Sequence, residues 1–219
     1  MRSIDTVRNE LESVADPAAS AAMAAYMKHR FEFFGVKTPQ RRAITKPTMA
    51  AARSASADQL IEFARACWDE PEREFQYVAQ DMLGANVARL ESRHLTNVRD
   101  LVTTRSWWDT VDALASWSVG GLVRADRTLA NEMDRWIDDD DIWVARSAIL
   151  HQLRWKEATD ADRLFAYAER RASDPEFFIR KAIGWALRQY ARTDPDAVRA
   201  FVDTHELSGL TRREALKHL

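Results

Sequence analysis

The chain has 219 residues, 46% of them hydrophobic and 30% charged, which suffices for one well-buried core and is too short for two comfortable ones. The formal net charge of −2 excludes a strongly basic nucleic-acid binder and leaves only a local positive strip on a neutral body. A single cysteine, Cys67, excludes an internal disulfide framework and fits a reducing compartment. Gly and Pro number six each, and no alternating stretch of strand length stands out, so the expectation is an all-α protein forming one domain over residues 1–219. Met1 to Glu10 lacks the apolar run of a signal peptide, and no stretch approaches the roughly 18 apolar residues of a membrane span. A soluble, cytoplasmic protein is expected.

Acidic residues before prolines punctuate the chain at Asp16-Pro17, Glu70-Pro71, Asp174-Pro175 and Asp194-Pro195. Asp is a good N-cap, and Pro is tolerated at the first helical position because its missing N–H costs nothing there. Thr38-Pro39 repeats the idea, with Thr38 expected to cap. Between these marks the apolar spacing is helical: Leu60, Ile61 and Ala64; Phe75, Val78, Ala79 and Met82; Leu129, Met133, Trp136 and Ile137. About a dozen helices of roughly 10 to 18 residues with short connections are expected. Their units resemble one another in pattern but not in letters, as in an α-solenoid with a concave face; a compact helical bundle is the alternative.

From the N-terminus, Tyr26 to Arg42 reads as a helix end, a Gly-containing apolar turn and a new helix start. Arg41 and Arg42 lie close to that start, a possible phosphate site, though such clusters are more often solvated. In Ser106-Trp107-Trp108-Asp109-Thr110-Val111-Asp112, Trp108 and Asp112 are four apart and share a helix face, while Trp107, Leu114 and Trp117 project to the other side. A flat aromatic beside a fixed carboxylate suits a cationic or cation-developing ligand. The bland alternative is packing for Trp108 and solvation for Asp112.

Asp138 to Asp141 reads as an acidic loop. In the helix from Ile142 to about Leu153, Arg146 falls in the apolar sector and needs a partner, either a carboxylate of a neighbouring helix or a bound phosphate. The helix from Pro175 to about Arg192 buries Ile179, Ala182, Ile183, Ala186 and Tyr190. It turns Phe178, Lys181, Trp185, Arg188 and Arg192 outward as a basic, aromatic stripe suited to a sugar–phosphate backbone. Gly184 sits mid-helix at a cost of about 1 kcal/mol, which would permit close approach of another chain segment. The five histidines have no metal-like spacing, and there is no Gly-rich phosphate loop and no nucleophile elbow.

Four segments together resemble one family, the HEAT-like repeat DNA alkylation repair glycosylases of the AlkD type. They are Phe34 to Arg42, Ser106 to Asp112, Trp143 to Leu150 and Phe178 to Tyr190, in the family's order and spanning nearly the whole chain. The resemblance implies a HEAT-like solenoid whose concave face holds duplex DNA. It also implies hydrolysis of the N-glycosidic bond of cationic N3- or N7-alkylated purines without a base-flipping pocket. Carried over by motif, Trp108 and Trp185 are similar to the aromatic walls at the damaged deoxyribose, and Asp112 to the catalytic carboxylate. Arg146 and Arg188 resemble phosphate-binding arginines and Tyr26 a tyrosine near the lesion, while Lys181 of the basic stripe and Arg41 and Arg42 of the helix start are expected as further DNA contacts. No cofactor is implied, and the partner is double-stranded DNA containing alkylated purines, bound by a monomer. The acidic run at Asp138 to Asp141 must then face away from DNA. The rival is a non-catalytic HEAT-like scaffold binding DNA or protein through the same surface; retention of Trp108, Asp112, Arg146 and Trp185 together favours the enzyme.

Overall fold

The computed structural model describes residues 1–219, and apart from one isolated bridge between Glu32 and Glu72 it contains only helices and turns. The chain divides into a first unit, Met1–Asn97, and a second, Val98–Leu219. No helix is long and apolar enough to cross a membrane.

The first unit holds α1 (Ile4–Glu12), α2 (Pro17–Tyr26), α3 (Thr38–Ile44), α4 (Lys46–Ala52), α5 (Ala57–Asp69) and α6 (Arg73–Ala85). α5 opens on a capping box of Ser56 and Gln59 and buries Leu60, Ile61, Ala64 and Cys67 against α6, which contributes Phe75, Val78, Ala79 and Met82. These are the residues that the helical spacing selects. The fully buried Glu74 carboxylate ties down the turn before α3, accepting from the backbone N–H groups of Phe34 (3.2 Å), Gly35 (2.9 Å) and Val36 (3.0 Å). Gly35 has φ +86°, and a Cβ there would lie 2.1 Å from the Asp16 carbonyl oxygen, so this turn closes only on glycine.

α7 (Leu95–Thr103) leads into α8 (Trp108–Ala113), which continues through a π-helical turn (Leu114–Val119) into α9 (Gly120–Ala125). Then come α10 (Ala130–Trp136), α11 (Ile142–Leu150), α12 (Ala161–Arg170), α13 (Phe177–Tyr190), α14 (Pro195–Thr204) and α15 (Gly209–Ala215). α13 packs on both α11 and α15 and buries Ile179, Ala182, Ile183 and Ala186 there. At the C-terminal end of α11, the wholly buried His151 donates from Nδ1 to the Ala148 carbonyl (2.6 Å). Its ring meets the edges of Trp155 and lies near Tyr167, and its Nε2 has no partner.

Several boundaries differ from the sequence expectation, each for a local reason. Asp16 and Asp194 do cap α2 and α14 ahead of Pro17 and Pro195. Glu70, however, terminates α5, and α6 starts only at Arg73. Asp174 accepts from Glu176 N–H (2.8 Å) in a turn, so α13 begins at Phe177 and ends at Tyr190, leaving Arg192 beyond it. Thr38 is the first helical residue of α3, with Lys37 at the cap position and no side-chain cap. Several helices fall short of the expected 10 to 18 residues, among them α8 and α9 at six each, where the π turn divides the stretch from Trp108 to Ala125.

Burial without a second hydrogen bond lowers the His151 pKa from 6.5 to about 4. The folded protein keeps this ring neutral while the unfolded chain protonates it. Its contribution is therefore complete above pH 6.5 and declines by about 3 kcal/mol as pH falls to about 4. Urea unfolding from pH 7 to pH 4.5 is expected to show this slope, and His151→Leu is expected to flatten it.

Candidate active site

Residues from four segments of the second unit line one open cavity of about 340 Å³: Trp108 and Asp112 from α8, Arg146 from α11, Phe177, Phe178, Lys181, Trp185 and Arg188 from α13, and Glu214 from α15. The spacing of four puts Trp108 and Asp112 on the cavity side of α8. Trp107, at the N-cap position in extended conformation, lies in a ring cluster with Trp143 (5.6 Å) and Phe178 (5.0 Å), which also pack on each other (4.9 Å). That cluster braces the starts of α8, α11 and α13.

The charged centre is an ion pair. Arg146 donates from Nε to Oδ1 of Asp112 (2.7 Å) and from Nη2 to Oδ2 (2.8 Å), while Nη1 donates to the Phe178 carbonyl. The Arg146 side chain is 4% exposed and that of Asp112 14%. Of the two partners that the sequence allowed for Arg146, the structure supplies the carboxylate. Three of the five guanidinium N–H groups are thereby engaged, and Arg146 still lines the cavity. Asp112 is neither solvated nor turned into its own helix. Burial pushes its pKa above the ordinary carboxylate value, against the pull of Arg146.

Lys181 and Arg188 do face the cavity, but each is engaged. Lys181 Nζ donates to Oε1 of Glu214 (2.8 Å) and Arg188 Nη1 to Oε2 (2.7 Å), and the Lys181 ammonium holds the Glu214 carboxyl below the usual range. Trp185 lies between them on the same lining, as the stripe predicts. Phe178 lines the cavity with Lys181 and Trp185, and its ring also packs in the cluster with Trp107 and Trp143; Phe177 beside it is 55% exposed. Trp117, in the π turn, is not on the cavity lining and stands 45% exposed under the Arg154 guanidinium.

Tyr26, Arg41 and Arg42 belong to the first unit and are not among the cavity residues. Tyr26 ends α2 and is 69% exposed. Arg42 is exposed and bidentate on Asp81. Arg41 corrects a further expectation: it is 4% exposed, pairs with Asp81 (3.2 Å) and stacks on Tyr77, so it is an internal cation and not a surface one. The acidic run is absorbed structurally, with Asp138 on Arg170, Asp139 on Arg99 and Asp141 capping α11. No group of three or more His, Cys, Asp or Glu side chains is arranged to hold a metal.

Sequence reasoning missed Glu214 and Phe177. Glu214 lies 33 and 26 residues from its two cations, beyond any local pattern. The one available signal was Gly184: a Cβ there would come within 2.5 Å of the Glu214 Cβ.

Fold and cavity together define an all-α helical-repeat protein with an aromatic, carboxylate-bearing site. The chain belongs to the DNA alkylation repair enzyme family, whose sequence profile matches residues 7–219. It is similar to a solved structure described as a predicted DNA alkylation repair enzyme from Enterococcus faecalis, with 34% identity, a TM-score of 0.88, and 94% of this chain and 96% of that one covered. Two Streptococcus mutans structures, AlkD2 and smu.31, share the fold at 16% identity and a TM-score of 0.63. The match covers 80% of this chain, with 89% of AlkD2 and 92% of smu.31. No curated protein sequence matches the chain. The protein is thus an enzyme-family member of DNA alkylation repair.

Removing Arg146 leaves the Asp112 carboxylate buried and unpaired. Arg146→Met is expected to cost about 3–5 kcal/mol in chemical denaturation at pH 7, while Arg146→Met with Asp112→Leu recovers most of it, since an apolar pair replaces the ions.

Proposed function

We propose that the protein is a DNA glycosylase that hydrolyses the N-glycosidic bond of cationic N3- or N7-alkylated purines in duplex DNA, acting as a monomer without a cofactor. The observation that carries the reading is the meeting of Trp108, Trp185 and the Arg146-held Asp112 on one open cavity of about 340 Å³. A cationic alkylpurine is already a good leaving group, so no strong general acid is required. As the bond from C1′ breaks, its electron pair neutralises the base and the positive charge passes to the sugar. Asp112 meets that charge with a carboxylate fixed in advance, and the indole faces add cation–π contact. Water then adds to C1′, and its proton goes to Asp112 or to solvent.

Arg146 serves this step by holding the carboxylate's orientation. Lys181 and Arg188 are the phosphate contacts of this reading, with Phe177 beside them on the same lining. The openness of the cavity favours excision with the base left in the stack over a flipped-base pocket of the kind other glycosylases use.

Asp112→Asn keeps one acceptor for Arg146 and removes the charge. Release of 7-methylguanine from methylated duplex is expected to fall about 10²- to 10³-fold while duplex affinity is retained. Excision near the wild-type rate would remove Asp112 from the mechanism. The raised pKa of Asp112 adds a second expectation. As pH falls, kcat/KM for base release should begin to drop above the ordinary carboxylate pKa of about 4, because the ionised form is the active one.

A further inference from the structure

The sharpest unused feature of the cavity is Glu214. α15 reaches it because Gly184 lets the helices touch: besides the Glu214 contact, a Cβ at 184 would lie 2.9 Å from the Thr211 carbonyl oxygen. Thr211 is buried and donates from Oγ1 to the Arg180 carbonyl (3.2 Å), and Ser208 caps the helix by accepting from Thr211 N–H (3.1 Å). The two oxygens of Glu214 are thereby divided between Lys181 and Arg188, one cation each. Two oxygens of a single anion spanning an ammonium and a guanidinium is also how two non-bridging phosphate oxygens would be held. Lys181 and Arg188 remain partly exposed on the cavity side, so an incoming anion can reach both.

We infer that Glu214 occupies a phosphate seat formed by Lys181 and Arg188, and that a DNA phosphodiester must displace it or share its cations. This rests on the glycosylase reading for the identity of the anion, not for the seat itself. Glu214 then acts as a specificity-determining residue. It holds down affinity for any duplex, so that residence depends on contacts that only a lesion supplies.

The test is duplex binding by fluorescence anisotropy across a salt series, on wild type, Glu214→Gln, Lys181→Gln/Arg188→Gln, the triple variant, and Glu132→Gln as a control. Glu132 also pairs with an arginine, on α10, so its variant changes net charge equally. Glu214→Gln is expected to bind undamaged duplex about three- to tenfold more tightly, with a log–log salt slope steeper by roughly one to two. The gain should vanish when Lys181 and Arg188 are also replaced. Inorganic phosphate should raise the Tm of Glu214→Gln more than that of wild type. An unchanged affinity and slope in Glu214→Gln, or an equal gain in Glu132→Gln, overturns the inference while leaving the glycosylase reading intact. If neither wild type nor variant binds duplex, the glycosylase reading fails alone. The phosphate melts then decide the seat: a larger rise in Glu214→Gln keeps it, and an equal rise removes it.

Discussion

A guanidinium buried among apolar helices must find negative charge, and Arg146 finds it by gripping Asp112 with two parallel bonds and the Phe178 carbonyl with a third. One side chain of α11 thereby fixes α8 on one side and the start of α13 on the other. The carboxylate cannot rotate away from either oxygen's partner, so its charge stands in a set direction in a poorly hydrated place. Such preorganisation is what electrostatic stabilisation of a developing cation requires. The ring cluster of Trp107, Trp143 and Phe178 braces the same three helix starts with dispersion contacts.

Around that pair the cavity carries Arg146, Lys181 and Arg188 against Asp112 and Glu214. Positive charge exceeds negative by one although the whole chain is at −2, so local balance and overall balance differ in sign. The acidic surplus lies elsewhere, partly consumed as helix caps and surface pairs such as those of Asp138, Asp139 and Asp141. A chain with no overall basic character can thus still present a basic site.

Much of the architecture was legible in the sequence because amphipathic spacing reports burial directly: α5 and α6 bury the residues their pattern names, and Asp16 and Asp194 cap where a cap chemistry sits before proline. Trp108 and Asp112 shared a face as the helical turn requires. Element boundaries were less legible: α13 begins at Phe177, two residues after Pro175, and the π turn at Leu114–Val119 departs from the 3.6-residue period. Partner identity was the other blind spot. A wheel shows that Arg146 or Arg41 sits on an inward face, but Asp112 and Asp81 are assigned only by tertiary packing. Glu214 shows the limit most plainly, because it meets Lys181 and Arg188 only after α15 has docked against Gly184.

The lone thiol has a meaning in this setting. Cys67 is fully buried in the α5–α6 core, and burial pushes its pKa far up, so it stays protonated. Alkylating electrophiles react with thiolates far faster than with neutral thiols. The chain's only sulfhydryl is held in the state in which a cysteine is least nucleophilic, protonated and shut away from solvent.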